Sequence, residues 1–447
     1  MNRFIDLNLK KWSQDPSRKP LLLRGARQVG KTFAVRQLGK SFTNFVEINF
    51  ESHPAAKSVF EKDLDPKRII RDLNLMMKKN IVPGKTLLFF DEIQEIPRGI
   101  IALRYFYEEL PEQHIIAAGS LLDFAIAKVG VPVGRISFLY LYPLSWLEFL
   151  KALGYDLWIE EILNHNIQNP FDENIHQTIL QVVGEYLAIG GMPEVVKKWA
   201  ETKNPQSCAE IHHSILESYQ QDFHKYATKH QIQYISQLFE EVPRQLGQKF
   251  KYSLIQGEYR KRELSPCLEL LEMAGVVRKI FHSAGQGIPL GAESSLDQFK
   301  VLFLDVGLSQ ALLGLDIADW FLNPMQALIN KGGLVETFVG QEILAYSDSM
   351  RKGSLYYWQR ESKGSEAEVD YLIQKNQNVI PIEVKSGQGS TLKSMRLFLE
   401  SHPRSPYGIR FSTHNYSVYD HIHSYPLYAV GSVIMTNPDV VFEYYAS

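Results

Sequence analysis

Cysteine is almost missing from this chain of 447 residues: Cys208 and Cys267 stand far apart, with no ligand cluster around either. A structural zinc site needs about four Cys or His ligands at set spacings, so no zinc-held fold is readable. A surplus of charge is missing too. Lys and Arg number 48 against 50 Asp and Glu, a formal net charge of −2, which excludes a wholly basic nucleic-acid coat and leaves room for a local basic face. Long hydrophobic runs are also absent. The most apolar long segment, Ile136 to Ile159, is broken by Glu148, Lys151 and Asp156 and is not a spanning helix. Met1-Asn2-Arg3-Phe4-Ile5-Asp6 has no apolar stretch of signal-peptide length. The expected location is the cytoplasm, with no membrane as partner. No internal repeat or low-complexity tract interrupts the chain. Its 45% apolar and 22% charged residues are ordinary for a globular protein, and its length implies two to four domains.

What is present begins at residue 25. Gly25-Ala26-Arg27-Gln28-Val29-Gly30-Lys31-Thr32 is a complete Gly-x-x-x-x-Gly-Lys-Thr loop. The apolar run Leu21–Leu23 precedes it and a helix-compatible segment, Phe33–Leu38, follows. A strand that feeds a glycine-bounded loop into a helix points several backbone N–H groups at one spot, and the helix dipole adds positive potential there. Lys31 would reach the outer phosphates of a nucleotide and Thr32 would hold Mg²⁺. The bland alternative is a chance match in a strand–turn–helix unit, and the correct flanks argue against it. The expected ligands are ATP and Mg²⁺.

Sixty residues past Lys31, the apolar strand Leu87–Phe90 ends in Asp91-Glu92. Asp91 would hold Mg²⁺ through its water shell, and Glu92 would orient and deprotonate the attacking water. The next strand, Ile115–Ala118, ends in Gly119-Ser120. Ser120 has two open roles: sensing the terminal phosphate from the carboxyl edge of the sheet, or capping the following helix. Arg135, at the start of a further apolar strand, would neutralise charge developing in the transition state, in competition with Arg24, Arg27, Arg98 and Arg104.

Strand-like segments at Leu21–Leu23, Phe45–Asn49, Leu87–Phe90 and Ile115–Ala118, separated by helical stretches, predict a parallel sheet covered on both faces. A helical region follows over roughly Pro143–Glu201, containing the turn Gly190-Gly191-Met192-Pro193. Helical periodicity then runs through Ile211–Tyr226 and Ile232–Leu246, and Ser265-Pro266 would open a short helix ending at Gly275. Two β-like runs, Val276–Phe281 and Phe299–Leu304, complete the three-helices-plus-hairpin pattern of a winged helix. Between Arg244 and His282 this segment carries eight basic residues (244, 249, 251, 260, 261, 262, 278 and 279) against four Glu (258, 263, 269 and 272). That surplus suits phosphate contact with DNA or a plain solvated surface.

The last part shows a helix at Leu334–Ala345 and strands at Leu355–Trp358, Glu368–Ile373 and Val379–Lys385. Period-2 alternation puts Glu383 and Lys385 on one face, opposite Ile382 and Val384, and a hairpin would bring Asp370 beside them. Asp370 and Glu383 would bind one or two Mg²⁺, Lys385 would orient water or steady the phosphate, and Glu336 on the preceding helix would complete the carboxylate set. Alternating charges on a solvated hairpin face give the same pattern.

Two resemblances sharpen this. Leu22 to Thr32, Phe90-Asp91-Glu92-Ile93-Gln94, Gly190-Gly191-Met192-Pro193 and Phe303-Leu304-Asp305-Val306-Gly307-Leu308 together resemble bacterial and archaeal ATPases of the AAA-like superfamily. In these an ATPase domain precedes a winged helix and a C-terminal domain of unknown function. The pattern Asp370, then Glu383-x-Lys385, resembles the core of restriction-endonuclease-like nucleases. The resemblances imply an α/β chain in three parts: a P-loop ATPase domain with a helical extension (1–205), a winged helix (206–325) and a nuclease-like α/β domain (326–447). They imply ATP binding with slow hydrolysis, and DNA or RNA as the expected partner of the downstream parts. Homo-oligomerisation stays open, as does a signalling protein whose nuclease-like domain is inactive.

Overall fold

The computed structural model describes residues 3–130, 132, 134–315, 317–322, 324, 326, 328, 331–360, 367–387 and 392–435. After α1 (Phe4–Gln14), the chain alternates β1 (Leu21–Arg24), α2 (Lys31–Gly39), β2 (Asn44–Asn49), α3 (Pro66–Met77), β3 (Thr86–Asp91), α4 (Pro97–Glu109), β4 (His114–Ala118), α5 (Leu122–Val129) and β5 (Ser137–Tyr140). The five strands form one parallel sheet in the order β2-β3-β4-β1-β5. Both faces are covered because alternate residues point to opposite sides. Leu21, Leu23, Leu87, Phe89, Ile116 and Ala118 enter one apolar core. Leu22, Leu88, Phe90, Ile115 and Ala117 enter the other. The strand order leaves one strand, β4, between the ends of β1 and β3, which carry the two halves of the phosphate motif.

The helical extension contains α6 (Trp146–Ala152), α7 (Asp156–Asn164), α8 (Glu173–Ile189) and α9 (Pro193–Thr202). Next come α10 (Pro205–Tyr226), α11 (Lys229–Glu241) and α12 (Lys261–Met273). The periodic segment expected to run to Leu246 stops as an α-helix at Glu241 and finishes as a 3₁₀ turn, Val242–Gln245. The helix expected to open at Ser265-Pro266 begins earlier, at Lys261. The Arg260 N–H donates to Glu263 Oε2 (2.8 Å), so a cap at Arg260 sets the start and Pro266 lies inside the helix.

The strands β6 (Val277–Ser283) and β7 (Ser294–Phe303) pair antiparallel as expected. They are not a free-standing wing. β6 also pairs in parallel with β8 (Leu355–Gln359), so the hairpin forms one end of an eight-stranded mixed sheet. The rest of that sheet is β9 (Glu368–Lys375), β10 (Asn378–Lys385), β11 (Gly408–Ser412), β12 (Ser417–Tyr419) and β13 (Ile422–Pro426). Asn376 and Gln377, both with positive φ, make the tight turn between β9 and β10. The helices of this part are α13 (Val306–Leu312), α14 (Ala318–Leu322), α15 (Gly332–Ala345), α16 (Lys393–Ser401) and α17 (Val430–Ile434).

One buried carboxylate joins the two family-like signatures. Asp305 caps α13 by accepting the Leu308 N–H at Oδ1 (3.0 Å), while Oδ2 accepts the Gly191 N–H (2.6 Å). A Cβ on Gly190 would stand 2.1 Å from Asp305 Oδ1, and one on Gly191 would stand 2.1 Å from the Leu144 carbonyl oxygen. The Gly-Gly turn is therefore the receptor for Asp305, and it fastens the helical extension to the chain beyond β7.

Candidate functional site: the phosphate loop and the C-terminal charge cluster

The loop after β1 has the backbone its glycines permit. Gly30, with φ +99°, is the N-cap of α2, and Gln28 also has positive φ. A Cβ on Gly25 would come within 2.3 Å of the Leu141 carbonyl oxygen, so the loop lies directly against the segment after β5. Lys31 folds back over the loop and donates from Nζ to the carbonyls of Gly25 (2.9 Å) and Ala26 (2.7 Å). Among the described residues no carboxylate stands within 4 Å of that ammonium. Burial pushes its pKa down to about 8, against the pull of Glu92 and Asp91. A buried cation held only by carbonyl dipoles lacks a counter-anion, and phosphate oxygens are suited to supply it.

Across β4, Thr32 donates its hydroxyl to Asp91 Oδ2 (3.2 Å), and Asn49 at the end of β2 donates to the same oxygen (3.2 Å). This donor set fits Mg²⁺: the donated hydroxyl keeps its lone pairs for a cation, and Asp91 stays aimed at it. Burial and the neighbouring Glu92 raise the Asp91 pKa, and a divalent cation would relieve that crowding. Glu92 itself has φ +52°, an uncommon conformation for a non-glycine residue at a strand end. Its Oε2 accepts from Gln94 Nε2 (2.5 Å). Gln94 in turn lies against Gly119, where a Cβ would meet its Oε1 at 1.9 Å, so Gln94 bridges the ends of β3 and β4.

The other expected residues fall into two groups. Ser120 lies beside this edge and lines a solvent-open cleft with Arg24, Gly25 and Ala26. It does not cap α5, whose N-cap is Leu121 with no side-chain cap. Arg135 is turned to α4, where Nε donates to Glu108 Oε1 (2.9 Å), and Arg104 shares that carboxylate. Arg24 pairs with Asp123, and Arg98 is exposed. Arg27 leaves the loop sideways to pair with Asp222 on α10, whose neighbour Tyr219 donates to the Arg27 carbonyl (2.7 Å). From the opposite side Arg3 donates to the Val29 carbonyl (3.0 Å), and Gly275, just past α12, faces Ala26 with room for no side chain at ordinary distance. The phosphate loop is thus gripped by Arg3 at the N-cap of α1, by α10 and by the turn that follows α12. Asn49, Gln94, Tyr219, Asp222 and Arg3 carry no local motif; only Gln94, inside Asp91-Glu92-Ile93-Gln94, had a signal close to hand.

In the C-terminal sheet, Asp370 Oδ2 accepts the Val384 N–H (2.7 Å), and Lys385 Nζ meets Glu383 Oε1 (2.5 Å). Glu383 Oε2 is buried without a partner. Glu336 joins this cluster through a lysine: its Oε1 accepts from Lys300 Nζ (2.9 Å), a residue of β7 that is fully buried. Lys300 also pairs with Glu368, lies 3.7 Å from Asp370 Oδ1, and stands 5.4 Å from the Tyr357 ring centre. The sequence signal for Lys300 was its charge inside the otherwise apolar run Phe299–Leu304. Among the described residues no group of three or more His, Cys, Asp and Glu is arranged to hold a metal. The expected set of Glu336, Asp370 and Glu383 does not fit a divalent cation as placed. The basic residues of the middle segment are also partly engaged: Lys279 with Glu272 (3.5 Å), Lys261 with Asp297 (3.5 Å) and Arg244 with Glu241 (3.3 Å). No helix among the described residues is long and apolar enough to cross a membrane.

Comparison with known proteins adds the following. Residues 17–150 match the family model described as AAA domain. Residues 181–319 and 331–430 match two models described as domains of unknown function, DUF8612 and DUF4143. No curated protein matches the chain. Similar solved structures include the Walker-type ATPase PABY2304 of Pyrococcus abyssi, at 13% identity and a TM-score of 0.46, covering 70% of this chain and 95% of that one. The Aeropyrum pernix ORC1 protein, solved in complex with DNA, follows at 14% identity and a TM-score of 0.30, covering 71% and 93%. The match to the AAA domain model coincides with the five-stranded parallel sheet and its phosphate loop, the sheet typical of a P-loop fold.

Proposed function

We propose that the chain is an ATP-hydrolysing switch whose nucleotide state is passed to the middle and C-terminal segments. The observation that carries this is the convergence of Lys31, Thr32, Asp91 and Glu92 at the carboxyl edge of one parallel sheet. The backbone from Gly25 to Thr32 would cradle the phosphates at the N-terminus of α2, and Lys31 would leave the Gly25 and Ala26 carbonyls to reach them. Thr32 and Asp91 would hold Mg²⁺, which when bound supplies positive charge against the phosphate oxygens. Glu92, oriented by Gln94, takes a proton from the attacking water. Because Arg27 is tied to α10 and Gly275 abuts Ala26, any shift of the loop acts at once on the middle segment.

Measured nucleotide affinity and ATP turnover test this. Lys31→Ala abolishes nucleotide binding. Glu92→Gln keeps binding and lowers turnover by about 100-fold or more, as loss of a general base does. Native turnover in Glu92→Gln would remove Glu92 from its assigned role.

The downstream target we propose is nucleic acid, DNA or RNA, met by the basic residues of the middle segment. Its test is salt-dependent anisotropy of labelled duplex and single strands. A second reading of the C-terminal part, a nuclease-like domain that does not cut, is favoured by one observation: Lys300 lies among its carboxylates.

A further inference from the structure

Four carboxylates, Glu336, Glu368, Asp370 and Glu383, gather on one face of the C-terminal sheet. A cluster of this kind requires a cation, and the fold carries one of its own. Lys300 comes from β7, the far end of the sheet, and its ammonium ends 2.9 Å from Glu336 and 3.7 Å from Asp370, paired also with Glu368. Its side chain is wholly buried and lies over the Tyr357 ring, so it is not a surface lysine that happens to fold inward. Lys385 neutralises Glu383 in the same way from within β10.

We propose that Lys300 holds the cation position of this cluster, so that the C-terminal domain works without a divalent metal. This deepens the second reading given above and names its cause. Mg²⁺ requires oxygen ligands at about 2.0–2.1 Å in an octahedral shell, with several waters retained. An ammonium already bonded to Glu336 and paired with Glu368 fills that space, takes two of the carboxylates a metal would use, and repels a second cation. Removal of the ammonium leaves Glu336, Glu368 and Asp370 facing one another without compensation, and a divalent cation becomes the charge that can relieve them.

The experiment is a Mn²⁺ titration of the full chain, without nucleotide, read by electron paramagnetic resonance of free Mn²⁺. All proteins carry Asp91→Asn, so that the phosphate-loop carboxylate contributes nothing. With Lys300 in place, the expected result is no Mn²⁺ uptake that Asp370→Asn abolishes. Lys300→Met gains a Mn²⁺ site at least tenfold tighter than any in its parent, and Mn²⁺ raises its melting temperature while leaving the parent's unchanged. A stoichiometric Mn²⁺ site in the parent that is lost in Asp370→Asn overturns the proposal, and this titration decides it even where the Lys300 variant folds poorly. A folded Lys300→Met that takes up no Mn²⁺ overturns it as well. ATP turnover, measured on the protein with Asp91 intact, reports separately on the phosphate loop.

Discussion

Asp305→Ala removes the acceptor of two buried N–H groups that belong to different parts of the fold. Gly191 loses a 2.6 Å hydrogen bond and Leu308 a 3.0 Å one. A buried donor left without a partner costs about 1–3 kcal/mol, so taking about 1.5 for each gives a loss of about 3 kcal/mol. Asp305→Asn keeps the Oδ1 cap on Leu308 but turns an amide N–H₂ toward the Gly191 N–H, which strands one donor and costs about half as much. Urea unfolding followed by tryptophan fluorescence measures both. A third variant makes the test sharper. Gly190→Ala places a Cβ 2.1 Å from Asp305 Oδ1, so its cost shrinks once the carboxylate is gone. The double variant is therefore less damaged than the sum of the two single ones, by about 1 kcal/mol or more, as contacting residues show in such cycles. The reasoning fails if Asp305→Ala costs under about 1 kcal/mol, if Asn costs as much as Ala, or if the double variant is additive.

Three further outcomes follow from the same contacts. Gln94→Ala frees Glu92 and lowers ATP turnover about tenfold, the equivalent of one hydrogen bond of about 1.4 kcal/mol, with nucleotide affinity unchanged; an equal loss of affinity would assign Gln94 to binding. Gly275→Ala combines a φ of +77° with a Cβ 3.2 Å from that of Ala26, so it displaces the phosphate loop and weakens nucleotide binding in isothermal titration. Burial, helped by the nearby Glu148 charge and opposed by hydrogen bonds from the Trp146 N–H, Tyr346 and Tyr186, raises the Glu342 pKa from 4.5 to about 8. A raised pKa gives stability that is complete below pH 4.5 and lost as pH climbs through 8. The melting temperature therefore falls over that range, and Glu342→Gln flattens the fall; an unchanged profile would clear Glu342 of the effect.

The first sheet was legible because its strands are buried on both faces and so read as unbroken apolar runs, and because the phosphate motif is local in sequence. Asp91-Glu92 followed from the strand that ends there. What escaped is non-local. Tyr219 and Asp222 meet Arg27 across almost two hundred residues, and nothing in an ordinary amphipathic helix marks two of its polar positions as partners of a loop so far away. Pro266 misled in a different manner: a proline near a serine is a fair opening signal, but the cap at Arg260 and Glu263 set the start five residues earlier. In the C-terminal part, alternation placed Glu383 and Lys385 correctly on one face, yet period-2 reasoning works within a hairpin. It had no means of seeing a lysine arrive from the opposite end of the sheet.

The pairing of β6 with β8 bears on how this protein can be taken apart. Ile280, Phe281 and His282 pair in register with Leu355, Tyr356 and Tyr357. A fragment starting at residue 326 would leave that edge of β8 as a row of unsatisfied backbone groups flanked by Leu355 and Tyr357, an invitation to stack with other copies. It would also strip Lys300 from Glu336, Glu368 and Asp370. A fragment ending at residue 325 would carry the hairpin away with nothing on its outer side. The hairpin β6–β7 therefore belongs with the strands that follow it, and any break between β7 and β8 divides one continuous sheet.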